Sequence, residues 1–196
     1  TIFKLNIKKS IVLSSDITLF NEKKILTSQV QDMSVGFALK PSFLDVTLLD
    51  QLHLHIKKTV DNSVYYTFFP EQDKQIYNDL GIVGSAQIQV KNLFNQDNLP
   101  KVKIMVVMRY HAAIWCALNG IPFLALATDP KLDSIAKSLE QEYVSLYDVF
   151  DDDIVLKRQF DVLVANFADY QAKLIQNIDQ LIDLSDKHKE LFYETV

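Results

Sequence analysis

Arg109 and His111 stand two residues apart directly after a wholly apolar run, 104–108, and Lys131 follows Asp129-Pro130 directly after another, 122–127. Both runs have the length of a strand, and a helix-forming stretch follows each, so these cations fall in or beside a first helical turn. A helix N-terminus carries partial positive charge and favours acids. A cation there is mildly unfavourable unless an anion shares the site. Exposed backbone N–H groups with an added cation make a pocket for a phosphate or carboxylate. Arg109 is therefore the candidate for gripping an oxyanion, with Lys131 and Lys40 as further anion contacts. His111 falls in the same first turn and, judged alone, reads more readily as a structural histidine. Lys40 closes a third strand-like run, 33–39, and Asp16, Asp129 and the region 71–73 complete the residues that follow strands. The plainer alternative for each cation is a side chain pointing into water, at a cost of about a few tenths of a kcal/mol.

The remaining chemistry-bearing residues narrow the field. None of the four glycines forms G-x-G-x-x-G or a Walker loop, and there is no G-x-S-x-G elbow. The single cysteine, Cys116, excludes an internal disulfide and a Cys-rich zinc site, and is expected to face the core as a small apolar group. With one cysteine and no signal-like start, the default compartment is the cytoplasm. His53 and His55 lie two apart on a helical stretch, so they point to different faces and cannot share a metal. Both are expected at the surface or an edge. The acidic triplet Asp151-Asp152-Asp153 suits a helix start better than a metal. No metal or cofactor is called for. A net charge of −5 argues against nucleic acid as a partner, and no apolar run reaches the ~18 residues of a membrane span.

The elements that must position these residues alternate along the chain. Strands are expected at 11–14, 33–39, 64–69, 104–108 and 122–127. Helices are expected over 43–60, where Leu44, Leu48, Leu52 and Ile56 recur every four residues, over 71–80 with Gly81 as C-cap, and over 110–118 with Asn119-Gly120 as its stop. Asp129 as N-cap and Pro130 at the first position open another. From Phe160 onward Leu163, Phe167, Leu174, Ile178 and Leu181 mark one face of a tail helix. This rhythm with short loops predicts a doubly wound α/β domain, a mainly parallel Rossmann-like sheet covered on both faces, with 104–108 and 122–127 in its interior. Ligands of such sheets sit beyond the carboxyl ends of the strands. Lys40, Arg109, His111 and Lys131 are expected there around one concavity. The division expected is 1–150 for the anion- or donor-binding domain and 151–196 for C-terminal helices packed on it.

Met108-Arg109-Tyr110-His111-Ala112-Ala113-Ile114, Asn119-Gly120-Ile121-Pro122 and Asp129-Pro130-Lys131-Leu132-Asp133, in this order and spacing, resemble the polysaccharide pyruvyl transferases. Upstream, Val35-Gly36-Phe37-Ala38-Leu39-Lys40-Pro41 and Ser15-Asp16-Ile17-Thr18-Leu19-Phe20 are similar to further segments of that family. Lys40 stands where the family has Arg, Ile17 where it has Pro, and Thr128 where Tyr is common. The resemblance implies a C-terminal half of the GT-B type. It also implies transfer of pyruvate as a ketal from phosphoenolpyruvate, a co-substrate and not a cofactor, to a sugar of a cell-surface polysaccharide. Arg109, Lys131 and Lys40 would then hold the donor, and His111 would be the catalytic acid–base group or a phosphate contact.

The same resemblance implies a missing N-terminal domain, in keeping with a chain that opens on Thr1 rather than Met and is expected to be an excised or processed piece. Its partners would be phosphoenolpyruvate, a lipid-linked or polysaccharide acceptor, and a further copy in a homo-oligomer. The acceptor would place it in the cytoplasm or at the inner face of a bacterial membrane. Two other readings stay open: a GT-B domain of the nucleotide-sugar type, and a non-catalytic domain kept for binding or assembly.

Overall fold

The computed structural model describes residues 32–42, 46–60, 62–82, 87–91, 101–145 and 153–194. The expected strand at 11–14 and the candidate Asp16 lie outside them. In chain order the elements are β1 (Ser34–Ala38), α1 (Val46–Thr59), β2 (Asn62–Thr67), α2 (Pro70–Asp79), β3 (Gln87–Gln89), β4 (Ile104–Val107), α3 (Tyr110–Leu118), β5 (Phe123–Ala127), α4 (Pro130–Ser138), β6 (Glu142–Ser145), α5 (Asp153–Ala165) and α6 (Phe167–Glu194). The six strands form one sheet in the order β3-β2-β1-β4-β5-β6, and every pairing is parallel. This is the doubly wound, Rossmann-like fold expected, with a C-terminal helical tail. The order reverses between β1 and β4, which makes the gap between their carboxyl ends the switch-point crevice of the fold.

β1, β4 and β5 are buried along their whole length, as strands covered on both faces must be. Val35, Phe37, Ile104, Val106, Leu124 and Leu126 join Leu52 and Ile56 of α1 and Leu156, Phe160 and Leu163 of α5 in one core. Alternate residues point to the opposite face, where Trp115 of α3 lies 5.1 Å, centroid to centroid, from Tyr66. β3 and β6 were not expected. Both are edge strands of three and four residues, and Gln87-Ile88-Gln89 and Glu142-Tyr143-Val144-Ser145 lack the apolar run that marks an interior strand.

Helix ends follow the local chemistry. Gly81, at φ 66°, and Gly120, at φ 62°, take the left-handed position after α2 and α3. There Ile82 N donates to Tyr77 O and Ile121 N to Cys116 O, both at 2.9 Å, closing the last turn as a Schellman motif does. Glu140 does the same after α4 at φ 50° without the freedom of a glycine. The expected single tail helix is two, α5 and α6, meeting at Asn166. Gln171 Nε2 of α6 donates to Gly120 O at 2.8 Å and Gln141 Nε2 to Tyr170 O at 3.0 Å, which fixes the start of α6 on the sheet domain. The compact unit carrying the sheet spans residues 24–178, and residues 179–194 of α6 belong to another.

His53 is a correction. It is 4% exposed and not a surface residue, because α1 turns it toward β2, where its Nε2 lies 2.7 Å from Tyr65 Oη and its ring meets Phe37 edge-on. His55, on the neighbouring face, pairs with Asp161 of α5 at 2.8 Å. Cys116 is buried as expected, and burial pushes its thiol well above the usual range.

Two predictions follow from this packing. A Cβ on Gly36 would lie 2.1 Å from Met105 Sδ, 2.9 Å from Tyr66 Cε2 and 3.0 Å from Val102 Cγ2. Gly36→Ala should therefore cost about 1–3 kcal/mol in urea unfolding, and Gly36→Val more. Burial, then the Lys57 ammonium, holds the His53 pKa below its ordinary value. The unfolded chain, at about 6.5, then takes up that proton first as pH falls. This contribution to stability should be full above about pH 6.5 and decline below it, until the folded imidazole also protonates. Melting temperatures from pH 8 to 5 should show His53→Gln flattening that decline.

Candidate functional site

The carboxyl edge of the sheet carries two ion pairs, each reaching across one strand. Asp73, one turn into α2, is fully buried. Its Oδ2 accepts from the backbone N–H groups of Phe68 and Phe69 at 2.9 Å each. Its Oδ1 accepts from Arg109 Nε at 2.9 Å and from Arg109 Nη2. Nη2 also donates to Gln72 Oε1 at 3.3 Å. The Arg109 side chain is only 12% exposed, and its guanidinium lies 4.6 Å over the Phe69 ring. This pair joins the end of β2 to the end of β4 over β1.

The second pair joins the end of β1 to the end of β5 over β4. Lys40 Nζ donates to Asp129 Oδ2 at 3.1 Å, while Asp129 Oδ1 accepts from Leu132 N at 3.0 Å as the N-cap of α4. Partial burial pushes the Asp129 carboxyl up, but the Leu132 N–H and the Lys40 ammonium outweigh it and hold the pKa below the ordinary value. Both pairs straddle the gap between β1 and β4. The crevice where this fold holds ligands is thus spanned by two of the chain's own ion pairs.

Tyr77, four residues after Asp73 on the same face of α2, locks the edge further. Its hydroxyl accepts from Leu39 N at 3.1 Å, and its proton lies between Tyr66 O at 2.8 Å and Phe37 O at 3.0 Å. Burial raises its pKa well above the usual phenol.

The expected site residues among those described fall into two pairs and one residue apart. Lys40 and Asp129 are in direct contact. Arg109 and His111 share Phe69, His111 being exposed with its ring centroid 6.4 Å from that of Phe69. Lys131 is exposed at the start of α4. The anion that Arg109 needs beside a helix start is supplied from within, by Asp73. The sequence pointed to 71–73 as residues following a strand, but could not pair Asp73 with a side chain 36 positions away. Among the described residues, no group of three or more His, Cys, Asp or Glu could hold a metal ion, and no helix is long and apolar enough to cross a membrane.

No protein-family model matches the chain, and no curated protein matches it. Solved structures do. Accessory secretory protein 1, 2 and 3 of Streptococcus pneumoniae matches with a TM-score of 0.56 and 18% identity over 88% of this chain and 35% of that one. Os79 of O. sativa, solved in complex with UDP, matches at 0.55 and 13% over 84% and 42%. WaaG, a glycosyltransferase involved in lipopolysaccharide biosynthesis, matches at 0.53 and 11% over 82% and 47%. The chain thus spans less than half of each. The fold is one that glycosyltransferases use.

The two pairs should differ in energy. Breaking a buried pair leaves an uncompensated charge, so Asp73→Ala should cost about 3–5 kcal/mol in urea unfolding. Lys40→Ala, at a pair that is 23% and 37% exposed, should cost no more than about 1 kcal/mol. Equal losses would show that burial does not separate them.

Proposed function

We propose that this chain is the C-terminal half of a GT-B-type protein and that it acts by binding a sugar-class ligand or a partner, without itself carrying out group transfer. The observation that carries this reading is the neutralisation of the switch-point crevice by the Arg109–Asp73 and Lys40–Asp129 pairs. Transfer of a phosphorylated donor needs uncompensated cations aimed at charge that develops in the transition state. Here the two best placed cations already face carboxylates at contact distance.

A second reading is a nucleotide-sugar enzyme domain. It is favoured by the fold likeness to Os79, which was solved in complex with UDP. Pyruvyl transfer from phosphoenolpyruvate, the reaction implied by the Arg109-Tyr110-His111 segment, requires both ion pairs to open so that Arg109 and Lys40 can take the donor.

The test uses the full-length protein that carries this chain. Phosphate release from phosphoenolpyruvate and UDP release from UDP-sugars should both be absent with sugar acceptors present. Asp129→Asn keeps an N-cap acceptor but frees the Lys40 ammonium. It should tighten phosphoenolpyruvate binding by about two- to fivefold at low salt, the scale of an exposed pair. Turnover of either donor that is lost in Arg109→Ala would overturn the proposal in favour of the matching enzyme.

A further inference from the structure

Phe69 occupies a position that local stability does not favour. It is the N-cap residue of α2 with no side-chain cap bond, where Ser, Thr, Asp or Asn would stabilise the helix by about 1 kcal/mol. It is also 44% exposed, one of three large apolar side chains left so among the described residues, with Leu54 and Ile154, and the only aromatic one. Asp73 takes the Phe68 and Phe69 N–H groups from within the first turn of α2, and Gln72 N donates to Phe69 O at 2.9 Å. The Phe69 side chain itself makes no hydrogen bond at the helix start. Its ring sits among polar groups that can reach a bound molecule: Arg109 over it, exposed Gln72 three residues on, and exposed His111.

We propose that Phe69 is a stacking platform for the ring of a neutral sugar, with Gln72, Arg109 and His111 meeting its hydroxyls. This rests on the binding reading above and names its ligand class. The choice between a sugar and a nucleotide turns on charge. A nucleotide brings phosphates, which need free cations close to the stacked base. The cation at this ring is already paired with the buried Asp73, so the Arg109–Asp73 unit beside the platform carries no net charge. A pyranose asks for no charge. Its C–H face packs on an aromatic ring, and its hydroxyls take the amide, guanidinium N–H and imidazole groups around it.

Saturation-transfer NMR and calorimetry on the full-length protein would test this with N-acetylglucosamine, a glucose oligosaccharide, UDP and phosphoenolpyruvate as probes. At least one neutral saccharide should bind with an affinity that changes little between 50 and about 500 mM salt. Phe69→Ala should weaken it by roughly tenfold, and Phe69→Trp should retain it. Both variants keep the backbone N–H that Asp73 uses, and unchanged melting temperatures would show that the fold is intact. Three results would overturn the inference: no saccharide binding, binding indifferent to Phe69→Ala, or binding confined to UDP or phosphoenolpyruvate and lost at high salt. Transfer of a bound sugar would overturn the non-catalytic reading instead, and leave the Phe69 contact standing.

Discussion

The buried carboxylate of Asp73 is the interaction on which the ligand edge depends. An ionised group with no exposure is tolerated only when its lone pairs are met by good donors. Asp73 meets two backbone N–H groups from the β2–α2 turn and two guanidinium N–H groups from Arg109. Those backbone groups belong to the turn that starts α2, and the helix would otherwise leave such donors unpaired. A single side chain therefore fixes the turn after β2 and ties it to the turn after β4. Tyr77, one turn along the same face, adds the ends of β1 and β2 to the assembly.

The topology gives this constraint its reach. In the order β3-β2-β1-β4-β5-β6, β2 and β4 flank β1, while β1 and β5 flank β4. The Asp73–Arg109 and Lys40–Asp129 pairs are thus interleaved, each crossing the gap that the other crosses. Charge is removed from the crevice and rigidity is added to its rim. An exposed pair such as Lys40–Asp129 contributes little to stability. Its consequence is electrostatic, since an entering anion must compete with Asp129 for the ammonium.

The sequence made the interior of the fold legible and left its periphery blank, for one physical reason. β4 and β5 are buried on both faces, so every residue had to be apolar and the runs stand out. β3 and β6 are edges of three and four residues that mix polar and apolar side chains, too short for a period of two to emerge. At the site, the oddity of Arg109 beside a helix start was readable, and the demand for an anion was sound. Its source was not readable, because Asp73 in the first turn of α2 looks like any acid that favours a helix dipole. Only tertiary structure brings residues 73 and 109 together. His53 was misplaced for a related reason. A periodicity that separates His53 from His55 does not say which of the two faces is inward, and the aromatic pocket of Phe37 and Tyr65 is made by other elements.

The same edge keeps an aromatic group in the open: Phe69, at the N-cap position of α2, leaves apolar surface exposed beside Arg109, Gln72 and His111. A transfer site must present charge that strengthens as the reaction proceeds, whereas a site that only holds a sugar needs a flat apolar face and hydrogen-bonding groups at its border. At this edge each of the two ion pairs sets a cation against a carboxylate, and the Phe69 ring stays 44% exposed with the Arg109 guanidinium 4.6 Å over it.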